Sequence, residues 1–244
     1  MEFFQELTAD QKLTLFVAFA SALLGGLIST AASWLTTRQS IVANETTRQL
    51  EKREKEAFYA HQGLIKINQY ANAAYSLKKM IDDQFDAANE AGHGDWLPVQ
   101  KVRGTPKYDE SFESFLSEEM VFLLKTKDSQ MLGDMIVFEK RVVASLNNFH
   151  TYSEERIEWS KKLQKGVIGS SQEGIPSLSA ELEGEFAMIA DAEAAFLTEL
   201  LGGIMEMLDR DTKDGFSLLH RYNRAAKDEY GDLFPTLEYE ASQC

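Results

Sequence analysis

The chain has 244 residues with 39 acidic and 25 basic side chains, a formal net charge of −14 and a pI near 4.8. That charge repels phosphate backbones and anionic headgroups at long range, so nucleic-acid binding is not an expected role. The single cysteine, Cys244, rules out an intrachain disulfide, and the roughly 200 residues beyond the N-terminal segment suit one soluble domain rather than two.

In chain order, residues 1–12 form a short acidic lead with Glu2, Glu6 and Asp10. From Leu13 to Leu35 there follow 23 residues without a charge, bounded by Lys12 and Arg38. As a helix this stretch reaches about 34 Å, enough to span a hydrocarbon core of about 30 Å with some tilt. The acidic lead and the length distinguish it from a cleaved secretory signal, and Trp34 stands where an interfacial aromatic belongs. Only Lys12 precedes the stretch, whereas Arg38, Arg48, Lys52, Arg53 and Lys55 follow it. The excess of cations predicts the N-terminus outside the cell and the rest of the chain in the cytoplasm, with the plasma (inner) membrane as its location.

Two lines of small residues run through this stretch at four-residue spacing. Ala18, Ala22, Gly26 and Thr30 form one, and Ser21, Gly25, Ser29 and Ser33 the other. Such spacing lets transmembrane backbones approach closely, so Ala18, Ala22, Gly25, Gly26, Ser29 and Thr30 are the expected packing positions of a self-associating anchor.

Residues 36–57 lack Gly and Pro and read as a solvated helical stalk. Leu50, Ala57 and Leu64 lie at heptad spacing, too few positions for a coiled-coil repeat. From Phe58 to Phe85 the apolar residues recur in steps of three and four, the mark of a helix with one buried face. Gly92 to Lys107, with three Gly and two Pro, predicts a long loop. Shorter and longer helices follow at about 111–125 and 130–165, with Asp128 and Ser129 as the expected caps of the second. GVIGSSQEGIP is a linker, and two more helices are expected at about 177–209 and 214–230. Residues 235–244 form an acidic tail. The expected fold is all-α: a single N-terminal transmembrane helix followed by an antiparallel helical bundle with long helices, occupying residues 58–234.

Chemistry is sparse. Glu90 and His93 make one Glu-x-x-His element where bundle di-iron sites need two, and neither His61, His150 nor His220 has a ligand at a recognised spacing. The run Asp209 to Gly215 begins like a calcium loop but places Lys213 and His220 where ligands belong, so its aspartates are expected to end one helix and cap the next. Phosphate-cradling Gly-rich loops and nucleophile elbows do not occur. No cofactor, metal or catalytic residue is expected. His93, Asp95 and Trp96 put an imidazole, a carboxylate and an indole in one loop and mark a candidate partner contact. The functional expectation is a membrane-anchored, non-enzymatic scaffold that binds a protein partner at the cytoplasmic face. The competing expectation is a homo-oligomeric membrane effector whose bundle senses a signal.

Overall fold

The computed structural model describes residues 8–105, 112–126, 128, 130–166 and 184–235. It is all-α, with long helices and no strand among the described residues: α1 (Ala9–Glu90), α2 (Pro98–Lys101), α3 (Ser117–Met120), a 3-10 turn (Val121–Lys125), α4 (Gln130–Gly166), α5 (Gly184–Tyr230) and a closing 3-10 turn (Gly231–Leu233). Two compact units divide the chain, Met1–Lys55 and Glu56–Cys244, and residues of α1 belong to both.

The first unit is helical from Ala9 onward and buries almost nothing. Its apolar stretch, long and apolar enough to cross a membrane, begins at Leu13 and has no buried residue. Phe16, Phe19, Leu23, Leu24, Leu27 and Ile28 are all exposed. The hydroxyls of Thr30 and Thr36 donate to the carbonyls of Gly26 and Ala32 at 2.8 and 2.9 Å, so their polarity is satisfied within the helix.

In the second unit each long helix carries a core stripe in steps of three and four. On α1 it runs Ala57, Ala60, Leu64, Ile67, Ala71, Ala74, Ile81, and on α4 Met131, Met135, Phe138, Val142, Phe149, Tyr152, Trp159. Burying each of the larger side chains contributes about 1.5–3 kcal/mol, which is what holds the helices together. On α5 the stripe runs Ala190, Ala194, Leu197, Leu201, Ile204, Leu208 and resumes at Leu218 and Tyr222.

Contacts along these stripes fix the directions. From the start of α1 upward, Ala60 meets Tyr222, Ala71 meets Gly215 and Lys78 meets Asp209, so α5 runs antiparallel to α1. Asp134 meets Arg221, Arg141 meets Asp211 and Lys162 meets Glu193, so α5 is antiparallel to α4 as well. Helices α1 and α4 therefore point the same way. A connection between parallel neighbours must travel back along their length, and the described parts of residues 91–128 do so. Arg103 bonds Gln84, Phe112 stacks on Tyr70 at 5.2 Å, Glu113 lies 3.7 Å from Lys66, and Lys125 pairs with Glu56. This strap takes the place of a fourth helix.

Two helix expectations are corrected. Residues 112–116 have no regular secondary structure, and only Ser117–Met120 are α-helical before the 3-10 turn, where the sequence predicts a helix over 111–125. Side chains have taken the backbone groups that a helix would use: Tyr70 Oη and Lys66 Nζ donate to the carbonyls of Glu113 and Ser114, and Phe115 N–H donates to Glu139. The second correction is α5, a single helix through Asp209–Asp214 where two were expected. Asp211 and Gly215 continue its core stripe between Leu208 and Leu218, and the aspartates pair with neighbouring helices instead of capping a new one. The linker, the expected helix start near Ser177 and most of the acidic tail lie outside the described residues.

Candidate functional site

Helix α1 ends as its sequence requires. Gly92 adopts φ 82°, Gly92 N–H donates to Asn89 O and His93 N–H to Ala88 O, the pairing that closes a helix through a left-handed residue. The chain then enters the loop that holds His93, Asp95 and Trp96. His93 and Trp96 stack face to face at 3.7 Å and are half-buried, while Asp95 is exposed and takes no part in the stack. Anchoring of this loop falls to residues the sequence did not single out. Val99 and Val102 are buried, Tyr152 Oη donates to Val102 O at 2.8 Å, and Arg156 Nε donates to Val99 O at 2.6 Å. Burial raises the Tyr152 hydroxyl well above its ordinary pKa, so it remains a donor.

The other expected positions lie in the first unit. Ala18, Ala22, Gly25, Gly26, Ser29 and Thr30 are all exposed, and a Cβ at Gly25 or Gly26 would meet nothing within 4 Å. Arg38 lies over the Trp34 ring at 5.3 Å, pairing the first cation after the apolar stretch with its terminal aromatic.

Charged side chains inside the bundle are occupied with one another. Lys66 and Glu119, both buried, pair at 2.9 Å, and Glu119 also accepts from Leu116 N–H. Asp211, with no exposed surface, accepts from Arg141 at 2.7 Å and from Ser145 at 3.0 Å. Burial pushes its carboxyl above the usual value against the opposing pull of Arg141 and Ser145. Arg221 holds Asp128 and Asp134, each at 2.7 Å, and Asp128 caps α4 by accepting from Met131 N–H.

Among the described residues, clefts open on the surface of the bundle. One of about 590 Å³ between α1 and α5 is walled by Lys78, Asp82, Asp209 and Lys213, and a narrower one of about 170 Å³ between α4 and α5 by Asp134, Arg141, Asp214 and Arg221. Lys78 pairs with Asp82 and Asp209, Lys213 with Asp209, and Arg141 with Asp214, so their walls are ion pairs rather than groups aimed at a ligand. Among the described residues no group of three or more His, Cys, Asp or Glu converges to hold a metal. The Asp209–Gly215 run is helical, which turns its carboxylates to different neighbours. Its one interior carboxylate, Asp211, is legible only once the three-and-four stripe is followed through a polar position.

The Asp128–Arg221 contact has a consequence for acid stability. Hydrogen bonding to Arg221, foremost among the causes, holds the Asp128 carboxyl below its ordinary value of 3.8. Its folded value is the lower one, so the contact stabilises fully above the unfolded value and is lost as pH falls through the folded value. Asp128→Asn should therefore lower stability at neutral pH and flatten the fall in stability below about pH 4, measured by urea unfolding across pH. An unchanged acid slope would contradict the assignment.

Residues 1–55 carry six acidic and six basic side chains, so the whole net charge of −14 resides in the second unit. Neither a family model, nor a curated protein, nor a solved structure matches the chain.

Proposed function

We propose that the chain is a membrane-tethered interaction module. Residues 13–35 cross the membrane once with the N-terminus outside, and the acidic bundle binds a protein partner at the cytoplasmic face. One observation carries this reading: the apolar stretch from Leu13 is uncovered on all sides, while the second unit closes a complete core of its own. An uncharged apolar helix of this length exposed to water would associate or aggregate, and a bilayer removes that cost. The cations from Arg38 to Lys55 support the orientation, and the internal pairing of the bundle's charged groups supports binding over catalysis.

The test is extraction of the C-terminally tagged full chain in mild detergent, with the mass and composition of the eluted particle determined. Cys244 is labelled beforehand with a membrane-impermeant maleimide in intact and opened cells. The expected result is retention in carbonate-washed membranes, labelling only after opening, and a second protein at fixed ratio. Release by carbonate, or labelling in intact cells, overturns the tether or its orientation.

The homo-oligomeric effector is the second reading, favoured by the exposed Gly25 and Gly26 faces with nothing within 4 Å of either. It requires a pure oligomer that dissociates when Gly25 and Gly26 are both replaced by Leu.

A further inference from the structure

Helix α5 has an outward face that carries exposed apolar side chains. Opposite the buried stripe from Ala190 to Leu208, Met188 and Phe196 are 74% and 58% exposed. Between and beyond them the face is made of small residues: Ala192, Ala195, Gly202 and Gly203 are exposed, and a Cβ at either glycine would meet nothing within 4 Å. Met188, Ala192 and Phe196 fall on one line at four-residue spacing, spanning about 12 Å of helix.

Acidic side chains predominate along this face. Residues 187–209 contain five acidic side chains and no basic one, and the cations Arg210 and Lys162 pair with Glu206 and Glu193. Asp191, Glu199 and Glu206 border the apolar line and are exposed. Among the described residues Asp191 and Glu199 have no ion-pair partner, in contrast to Glu193 on the same helix, which holds Lys162.

Building on the interaction-module reading, we infer that the face of α5 from Met188 to Glu206 docks a cationic amphipathic helix of the protein partner. Low relief at Ala192, Ala195 and the two glycines lets a second helix axis approach to about 8–10 Å, with Met188 and Phe196 as the anchors that fill its apolar side. Lysines or arginines flanking that side meet Asp191 and Glu199, which steers encounter and fixes orientation. A second copy of this chain is the wrong occupant, because overlap of the same stretch sets acidic side chains against acidic side chains. Phosphate-rich surfaces are repelled for the same reason.

The experiment uses the full chain in zwitterionic nanodiscs and a labelled 18-residue helical peptide of Leu and Lys in amphipathic order, read by fluorescence anisotropy against empty nanodiscs. Its counterpart carries Glu at every Lys position. The wild type is expected to bind the Lys peptide and not the Glu peptide. Met188→Ser/Phe196→Ser and Asp191→Lys/Glu199→Lys are each expected to weaken binding by about tenfold or more. The control Val137→Ser/Asp228→Lys alters an exposed apolar and an exposed acidic residue elsewhere and is expected to bind within about twofold of wild type, since it leaves this face intact. All substituted side chains are exposed, and unchanged circular dichroism and Tm establish that the variants fold. Wild-type affinity in both face variants, equal binding of the Glu peptide, or equal loss in the control overturns the proposal. None of these outcomes touches the tether, which is decided by the extraction and labelling above.

Discussion

Replacing Lys66 by Met should destabilise the bundle by about 3–5 kcal/mol, because it leaves a buried carboxylate without its countercharge. Glu119 has 1% of its surface exposed and sits 2.9 Å from Lys66 Nζ. Among the described residues, removing the ammonium leaves Glu119 with the Leu116 N–H as its only donor. Lys66 also donates to Ser114 O, so the same change loosens the strap over Tyr70. The double variant Lys66→Met/Glu119→Gln removes both charges while keeping an acceptor for Leu116 N–H, and should lie within about 1–2 kcal/mol of wild type. Urea unfolding of the full chain in mild detergent, followed by circular dichroism, measures both. A single variant as stable as wild type would mean that water already reaches the pair.

Gly215 and Phe138 should show a coupled effect of similar size. Phe138 is buried against Tyr70, and truncation to Ala should cost about 3–5 kcal/mol. A Cβ at Gly215 would lie 2.8 Å from the Phe138 ring tip and 2.9 Å from Ala71 Cβ, distances that force α5 away from α1 and α4. Gly215→Ala should therefore cost about 1–3 kcal/mol despite the better helix propensity of alanine. Combining the two should cost less than their sum by about 0.5–2 kcal/mol, since the added methyl enters space that the ring vacates. Strict additivity would show that the two sites do not share that space.

The same contacts set the placement of the α5 face as well as stability. Helix α5 is held against α1 by Gly215 and Tyr222 and against α4 by Asp211 and Arg221, so its outward surface is presented by a rigid element. A docking surface on such an element loses little freedom on binding. If the proposed docking holds, variants that unseat α5 should thus weaken binding of the cationic peptide even though Lys66 and Phe138 lie outside the proposed face.

The amino-acid sequence by itself determined the apolar stretch from Leu13, the helical character of the chain, the stop at Gly92 and the cap at Asp128. Each rests on local information: an unbroken run of apolar residues, a spacing of three and four, a residue that tolerates positive φ, a carboxylate beside free backbone donors. What only the tertiary structure decided depends on neighbours distant in sequence. Asp211 and Gly215 look like a helix boundary when read along the chain, yet Arg141 and Ser145 supply the partners and Phe138 and Ala71 the close contact that keep α5 continuous. Phe112, Phe115, Leu116, Phe122 and Leu123 read as a short helix, but the parallel course of α1 and α4 demands a returning strap. Lys66, Tyr70 and Glu139 take its backbone groups before a helix can. The outward face of α5 was hidden for a related reason. Met188 and Phe196 are as apolar as the residues beneath them, and only the packing of Ala190, Ala194 and Leu197 against the bundle turns them outward.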